Sequence, residues 1–230
     1  MKGFNIIKKD YHYYGRRIGF KLSKKKKLVL ENILPKIELT NKNIDNYINS
    51  SLSNNKKINL EVGFGSGENL NHMIRTNKDS YFIGCEPYLN GLASFLLDLE
   101  KINIERVKVF KQDVRELITC FPKNFLSNII IFFPDPWPKN KHKKRRIVNE
   151  KNIELMTACL KKEGKIYTAT DVEDYFNWMI KVFNNSKKLK IIYRNKFCIK
   201  KDFFSITRYE KKALDKNKKT FFLEVKKYLD

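Results

Sequence analysis

The chain has 230 residues, 42% of them hydrophobic, which is enough for one domain with a sizeable buried core. Its 48 Lys and Arg against 25 Asp and Glu give a net charge of +23, which favours a polyanion such as a nucleic acid as partner. The abundance of Lys, Asn and Ile also indicates a biased genome, so charge alone does not identify that partner. No apolar run could cross a bilayer and the N-terminus lacks the apolar segment of a secretory signal, so we expect a cytoplasmic protein that does not bind membranes.

The cysteines are scattered along the chain at Cys85, Cys120, Cys159 and Cys198, and there are only three histidines. A metal site or a disulfide framework needs clustered ligands or paired spacings, which are absent from this sequence. We therefore predict buried free thiols in a reducing compartment and no bound metal.

Residues 1–27 are basic and aromatic, and Gly15 and Gly19 interrupt them without any helical or alternating period. An arm that orders on a nucleic-acid partner fits this pattern, and a disordered solubilising tail is the alternative. We assign residues 1–50 to a basic N-terminal extension and residues 51–230 to a single domain.

From residue 57 onward, strand-like runs alternate with helical ones. Strands are predicted at 57–64, 81–86, 106–113, 128–137, 164–171, 187–195 and 220–229, and helices at 66–77, 89–102, 114–120, 150–162 and 174–183. This alternation predicts an α/β fold, a doubly wound, mostly parallel seven-stranded sheet with helices on both faces. No helical pattern separates the last two strands, so we expect them to pair antiparallel at one edge. In such sheets ligands bind beyond the carboxyl ends of the strands.

The first predicted strand ends in a glycine-rich turn containing Gly63, Gly65 and Gly67, which allows a close backbone approach to a ligand. A dinucleotide-binding fold would place a third glycine where this chain has Glu68, whose charge at a helix N-terminus repels pyrophosphate. Glu61 adds a second carboxylate just before the turn. An acid-rich turn favours a cationic ligand without phosphates, such as S-adenosylmethionine.

Two further acidic residues follow the next two strands. Glu86 could accept hydrogen bonds from both hydroxyls of a ribose, or it could be a solvated acid at a strand end. Asp113 could accept a hydrogen bond from an adenine amino group, or it could cap a helix. Acids at three successive strand ends indicate a methyltransferase site.

The fourth predicted strand runs into a loop in which Pro134 and Pro136 flank Asp135 and restrict its backbone. Trp137 offers a flat face for a base or a wall for a pocket. The basic run at 141–146 follows directly, and its alternative interpretation is a solvated charge run. We expect four arginines to contact phosphates: Arg16, Arg17, Arg145 and Arg146.

At this point the chain closely resembles the bacterial tRNA (guanine-N7)-methyltransferase family. The matching segments are LEVGFGSGENL, FIGCEPYLNG, QDV, FFPDPWPKNKHKKRR, ATDVEDY and TRYE. The resemblance implies a Rossmann-like class I methyltransferase that uses S-adenosylmethionine. Asp135 would be the catalytic acid. The cofactor would contact Glu61, Gly63, Gly65, Gly67, Glu86, Asp113 and Asp135.

The same resemblance implies the substrate, a guanine of tRNA that becomes 7-methylguanosine, with guanine 46 of the variable loop as the target. Contacts to that substrate would come from Lys139, Asp171, Thr207, Arg208, Tyr209 and Glu210, and contacts to RNA from Lys141, His142, Lys143, Lys144, Arg145 and Arg146. Lys141 departs from the usual Arg of the family and Lys143 from a frequent acid, which could alter RNA affinity. A monomer and a homodimer both remain open.

The chemistry of guanine explains these residue types. N7 carries an exposed lone pair and no proton, so we interpret Asp135 as an orienting and electrostatic group rather than a base. Asp171 and Glu210 are suitable acceptors for the ring N–H and the exocyclic amine, although Glu210 could instead pair with a lysine. The alternatives are a related enzyme acting on another nucleobase or a small molecule, an RNA-binding module without catalysis, and an oxidoreductase, which Glu68 disfavours.

Overall fold

The computed structural model describes residues 13–15, 17, 19–99, 101–195 and 203–229, so that the predicted RNA contact Arg16 and the thiol of Cys198 lie outside the described residues. The chain forms two compact units, Met1–Phe121 and Pro122–Asp230. Cys85, Cys120 and Cys159 are free, buried thiols, as predicted. Across the described ranges, no helix has the length and apolar character needed to span a membrane.

The first unit contains three strands and six α-helices within its described residues. In chain order they are α1 (Lys24–Asn32), α2 (Leu34–Ile37), α3 (Ile44–Ser53), β1 (Lys57–Val62), α4 (Glu68–Thr76), β2 (Ser80–Cys85), α5 (Leu89–Asp98), a 3-10 helix (Lys101–Arg106), β3 (Val107–Phe110) and α6 (Val114–Ile118). The strands lie in the order β3-β2-β1 and are parallel, with Leu60 opposite Ile83 and Ile83 opposite Lys108. Five successive residues of β1 are buried, as expected for a strand covered on both faces.

Residues 24–53 contain the three helices α1, α2 and α3, although the sequence pattern predicted no helix before residue 57. Ile37, Ile44 and Ile48 are fully buried, and the backbone N–H of Leu39 donates to the carbonyl of Val109 in β3 at 2.8 Å. These helices are short, and no residue of α1 is buried, which explains why they carry no clear apolar period. This part of the predicted extension therefore packs on the first unit, while the boundary at residue 50 stays a prediction.

The described part of the predicted arm is tied to the start of α5. The Leu89 N–H donates to the Arg17 carbonyl at 3.0 Å, and the Gly19 N–H donates to Oδ1 of Asn90 at 3.1 Å. The Asn90 amide returns a bond to the Phe20 carbonyl at 2.8 Å. Arg17, Gly19 and Phe20 thus have defined partners within the protein, whereas ordering of the arm by a nucleic acid stays a prediction.

The second unit contains four strands and three α-helices within its described residues. They are β4 (Leu126–Phe132), a 3-10 helix (Asn140–Arg145), α7 (Glu150–Cys159), β5 (Leu160–Thr170), α8 (Glu173–Asn184), β6 (Leu189–Asn195), α9 (Arg208–Leu214) and β7 (Phe221–Lys227). The strand order is β4-β5-β7-β6, in which β4 and β5 are parallel and β7 runs antiparallel to both of its neighbours. Burial alternates along β6, as expected at a sheet edge.

One prediction about the end of the chain was wrong. The last two strands do pair antiparallel, but α9 lies between them in sequence. It has seven residues, four of them charged, and depends on Thr207, whose Oγ1 accepts a hydrogen bond from the Glu210 N–H at 3.1 Å as the N-cap. A helix this short has too few apolar residues to show a period. The predicted fold class, a mostly parallel seven-stranded sheet with helices, is confirmed.

We predict that Gly91→Ala destabilises the first unit. Gly91 lies inside α5, and a Cβ there would come within 2.5 Å of the backbone oxygen of Gly65, which cannot move aside as a side-chain end can. We expect a loss of about 1–3 kcal/mol in the free energy of unfolding, measured by urea titration. Leu97→Ala, on an exposed position of the same helix, is the control, and an equal or smaller loss in Gly91→Ala would contradict the predicted close packing.

Candidate active site

The glycine turn joins β1 to α4 with its glycines in the left-handed region of backbone conformation. The φ angles of Gly63, Gly65 and Gly67 are +71°, +58° and +84°, values that side chains with a Cβ rarely adopt. A Cβ at Gly63 would meet no atom within 4 Å, whereas one at Gly67 would strike the ring of Phe95 at 2.4 Å. The turn is therefore held tightly on its Gly67 side and opens into free space at Gly63, where a ligand can approach the backbone.

Glu86 holds this turn in place. It is buried just beyond β2, where its Oε2 accepts a hydrogen bond from the Gly65 N–H at 2.7 Å and its Oε1 accepts one from the Tyr88 N–H at 2.8 Å. Glu86 thus supports the turn. Contact of this carboxylate with the hydroxyls of a ribose, which the sequence predicts, stays a prediction.

Glu61, next to the turn at the end of β1, is the most strongly perturbed carboxyl group in the described part of the first unit. Its Oε1 accepts a hydrogen bond from the Asn69 amide at 3.0 Å, whereas its buried Oε2 has no hydrogen-bond partner. Burial raises the pKa of Glu61 to about 8, and the nearby charges of Glu68 and Glu86 add to this effect. An unsatisfied buried carboxylate oxygen beside an open turn fits a ligand that brings a positive charge.

Asp113 has local partners that account for both of its oxygens. It is the N-cap of α6, where Oδ1 accepts hydrogen bonds from the backbone N–H and the Nε of Arg115, both at 2.9 Å. Oδ2 pairs with the Arg115 Nη2 at 2.6 Å. The helix-cap alternative raised from the sequence is therefore present in the structure, while contact with an adenine stays a prediction.

In the second unit, the loop after β4 carries Asp135 on a constrained backbone. Phe133 and Trp137 on either side of the Pro-Asp-Pro segment have φ angles of +48° and +42°. The Phe133 N–H donates to the Ala169 carbonyl at 2.8 Å, which continues the β4–β5 pairing to the edge of the loop. Asp135 itself is exposed, and partial desolvation by the surrounding chain raises its pKa. A carboxylate held this way can act on a positive charge without reorganising.

Arg146 is fully buried, which corrects its assignment as an RNA contact. Its Nε donates to the Pro136 carbonyl at 2.8 Å, and its Nη2 pairs with Asp174 in the first turn of α8. The guanidinium also lies over the rings of Tyr175 and Trp178, at 4.7 and 5.2 Å from their centroids. A phosphate cannot reach this group in the structure, so Arg146 instead fastens the Pro-Asp-Pro-Trp loop to α8.

The other residues of the basic run lie in the 3-10 helix, and their side chains differ in exposure and in the groups that they contact. Lys141 and Lys144 are exposed, while Lys143 pairs with Asp174 at 2.9 Å. The Arg145 guanidinium lies 4.9 Å from the centroid of the Trp137 ring, and His142 meets the same ring edge-on at 5.9 Å. Desolvation and the neighbouring cations, Arg145 first among them, lower the pKa of His142.

The predicted substrate contacts fall into two groups. Asp171, just after β5, and Tyr209, on α9, line one cavity of about 280 Å³ in the second unit. Thr207 and Glu210 are buried and joined by the N-cap bond of α9, and they do not line that cavity. Arg208 on α9 and Lys139, which precedes the basic 3-10 helix, are exposed. Within the described ranges, no group of His, Cys, Asp and Glu side chains could hold a metal ion.

Sequence reasoning missed several residues that position the site. Asn69 binds Glu61, Arg115 binds Asp113, and Asp174 binds both Lys143 and Arg146. Each lies in the first turn of a helix, and Asp174 belongs to the ATDVEDY segment that the resemblance already singled out. The motif marked the region, but the pairing partner of an acid cannot be read from spacing alone.

Comparison with known proteins defines the class first. A protein-family model described as "Putative methyltransferase" matches residues 55–223. A solved rRNA methylase from Streptococcus thermophilus aligns with a TM-score of 0.53 and 9% identity, covering 91% of this chain and 100% of that chain, a likeness that concerns the fold alone. Fold and family together define a methyltransferase of the class I type, whose members use S-adenosylmethionine.

The family follows from close relatives. A tRNA (guanine-N(7)-)-methyltransferase of Wolbachia pipientis wMel is 36% identical over 200 residues, which cover 85% of this chain and 86% of the relative. The chain belongs to the tRNA (guanine-N(7)-)-methyltransferase family. A bifunctional methyltransferase of Rickettsia typhi is also 36% identical, over 210 residues, and the match covers 91% of this chain but 39% of that longer relative.

We predict that Glu61 makes the stability of the free protein depend on pH. Its pKa rises from 4.5 to about 8 on folding, so between these values the folded state holds a proton that the unfolded state releases. This contribution is therefore complete below about pH 4.5 and is lost as the pH rises to about 8. Because one pKa unit corresponds to about 1.4 kcal/mol, Glu61→Gln should be more stable than wild type at pH 8 by an amount on the order of a few kcal/mol, and not at low pH.

Urea unfolding across this pH range measures the difference, with Glu68→Gln at the same turn as the control. If the difference in the free energy of unfolding between Glu61→Gln and wild type stays constant from pH 5 to 8, Glu61 does not titrate in this range.

We predict that Arg146→Lys destabilises the second unit by about 2–4 kcal/mol and slows catalysis, because the single nitrogen of lysine cannot reproduce the separate Nε and Nη2 contacts to Pro136 and Asp174. The readouts are urea unfolding and the split between kcat and KM, in which kcat should fall and the KM for cofactor should not change. Lys143→Met, which removes only the partly exposed partner of Asp174, is the matched control and should cost less than about 1 kcal/mol. Equal losses in both variants would contradict a positioning role for Arg146.

Proposed function

We propose that this chain transfers a methyl group from S-adenosylmethionine to N7 of a guanine in tRNA, and that the target is guanine 46 of the variable loop. The observation that carries the proposal is the 36% identity to the Wolbachia enzyme over 86% of that relative's length. The constrained Asp135 loop and the basic 3-10 helix that follows it support the same activity. The Rickettsia typhi relative is longer than this chain, and the proposal concerns only the activity of the part that matches it.

The first unit offers the groups that would hold the cofactor. Glu61 would receive a cationic group at its unsatisfied Oε2, and Glu86, which bonds the Gly65 N–H, would also accept hydrogen bonds from the ribose hydroxyls. The glycine turn would admit the ligand to the backbone at Gly63, where a Cβ would have no neighbour. When bound, S-adenosylmethionine supplies an electrophilic methyl carbon on a positively charged sulfur.

Asp135 would act on the methyl acceptor by position and charge. Guanine N7 attacks through a lone pair and loses no proton, so the reaction does not need a general base. The purine ring becomes cationic as the bond forms, and a nearby carboxylate stabilises that charge. The partial desolvation that raises the pKa of Asp135 also strengthens its attraction to a cation.

Recognition of guanine would rest on Asp171 and Glu210, which can accept from the ring N–H and the exocyclic amine. Asp171 lies in the cavity of the second unit, and Glu210 is buried at the start of α9 behind the N-cap of Thr207. Tyr209, 63% exposed at the same cavity, offers a ring face to a base.

Contact with the tRNA backbone would come from the exposed cations of the 3-10 helix, Lys141 and Lys144, and from the exposed Arg17. Arg145 is only partly exposed because it covers Trp137, and it would contact RNA with the outer edge of its guanidinium. Lys143 would first have to leave Asp174. Since guanine 46 normally pairs within the folded tRNA, some local opening of the RNA would accompany binding.

We predict that the purified protein, given labelled S-adenosylmethionine and unmodified tRNA, places the label in 7-methylguanosine. Asp135→Asn should retain tRNA binding and lose roughly 100-fold or more in the rate of transfer, because the amide cannot stabilise the cationic ring. Glu154→Gln, on an exposed position of α7, is the control. The measurement is nucleoside analysis after a timed reaction.

Each contrary result identifies a different error in the proposal. Label in another nucleoside would overturn the choice of guanine N7, and unchanged transfer to a tRNA with adenine at position 46 would overturn the target position. Near-normal turnover by Asp135→Asn would overturn the role of Asp135.

A further inference from the structure

The cavity in the second unit has a charge that the recognition of a neutral base does not explain. Asp171, Tyr209, Lys212, Ala213, Lys216 and Lys218 line its volume of about 280 Å³. Three lysines therefore face a single carboxylate, and only Asp171 and Tyr209 among these residues were expected to contact a substrate. The three lysines are exposed and belong neither to the basic 3-10 helix nor to the N-terminal arm.

Local structure brings these lysines together. Tyr209, Lys212, Ala213 and Lys216 are spaced at i, i+3, i+4 and i+7, which places them on one face of α9 and its continuation. The chain then turns back at Asn217, whose φ is +52°, and the Lys218 N–H donates to the Ala213 carbonyl at 2.9 Å. This reversal brings the Lys218 ammonium to 3.6 Å from Oδ2 of Asp171.

The electrostatics of the cavity favour an anion. Lys218 is the lysine paired with Asp171, at a site where both side chains are partly exposed, so Lys212 and Lys216 leave an excess of positive charge at the cavity. Mutual repulsion among three ammonium groups falls when a phosphate enters, and phosphate contacts by lysine are the main source of affinity for nucleic acids. The exposed ring of Tyr209 at the same cavity adds a stacking surface, a combination typical of single-stranded RNA sites.

We propose that Lys212, Lys216 and Lys218 form a binding site for RNA backbone phosphates next to the base contact of Asp171. The assignment of the base rests on the proposed function, whereas the phosphate site rests on the cavity itself. Lys218 pairs with Asp171 in the free protein, and on binding it moves to a phosphate, which leaves Asp171 to accept from the N–H groups of the base. One lysine thereby keeps the acid neutralised until the nucleotide arrives.

The test is the salt dependence of tRNA binding by a variant with Lys212→Gln, Lys216→Gln and Lys218→Gln together. Each phosphate contact contributes roughly 0.7–0.9 to the slope of log Kobs against log salt, so we expect the slope to decrease in magnitude by roughly 2–3 for three lysines. The KM for tRNA should rise at least roughly tenfold, and the affinity for S-adenosylmethionine should stay unchanged. The single variant Lys218→Gln should lower the slope by about 0.7–0.9.

A matched control removes the same charge elsewhere in the second unit. Lys181, Lys187 and Lys188 are exposed, and their replacement by glutamine subtracts three charges as well. Lys181 lies eight residues into α8 from Glu173, about 12 Å along the helix at 1.5 Å per residue and away from the end that follows Asp171. Lys187 and Lys188 precede β6, which runs parallel to β5 because both are antiparallel to β7. They therefore lie at the amino ends of these strands, whereas Asp171 follows the carboxyl end of β5. This variant should change the slope by less than about 0.5.

The outcomes separate the phosphate site from the proposed reaction. Equal slopes for the cavity variant and the control variant would overturn the site. A loss of affinity for guanosine 5′-monophosphate by the cavity variant, with an unchanged tRNA slope, would assign the lysines to a free nucleotide and also overturn it. If wild type yields no 7-methylguanosine while the cavity variant shows the lower slope, the proposed function fails and the phosphate site stands.

Discussion

The hydrogen bond from the Gly65 N–H to the buried carboxylate of Glu86 is the constraint on which the first unit's site depends. It fixes the middle of a turn that passes through the left-handed region three times, and it does so with a charged group that is costly to bury. Glu61 lies at the same strand end with one oxygen unsatisfied. The fold therefore places two buried acidic groups beside the open side of the turn, and a cationic ligand would favour the ionised form of Glu61.

In the second unit, a buried cation, Arg146, holds a loop of the candidate site in place. Arg146 spans from the Pro136 carbonyl to Asp174 and packs on two aromatic rings, so that the loop carrying Asp135 is fastened to α8 rather than only to the end of β4. The prolines restrict the backbone angles of the loop, and Arg146 holds the loop through contacts to α8. Asp135 itself stays exposed, and the rigidity of its surroundings does not depend on contacts of its own carboxylate.

The parts of this structure that the sequence predicted are those that repeat a pattern over many residues. The alternation from residue 57 onward gave the class of sheet, and the glycines and strand-end acids gave the candidate cofactor residues. Helices α1 to α3 and α9 were missed, because they are too short or too weakly amphipathic to show a period and depend on packing or on a single cap such as Thr207. Adjacent residues of the basic run were also indistinguishable in sequence: Arg145 lies partly exposed over Trp137, whereas Arg146 is fully buried.

The geometry of the guanidinium decides which arginines of this chain lysine could replace. Lysine fills most cationic positions, and only nine of the 48 Lys and Arg residues are arginine. Within the described residues, three arginines use the planar fork to bond two acceptor atoms each: Arg106 bonds the carbonyls of Ile74 and Asn77, Arg115 bonds both oxygens of Asp113, and Arg146 joins Pro136 to Asp174. An ammonium carries its donors on one nitrogen, so it cannot reproduce the spacing of the guanidinium nitrogens in these pairs. Lysine therefore keeps the charge of an exposed arginine, but at these three positions it loses the geometry that joins two acceptors.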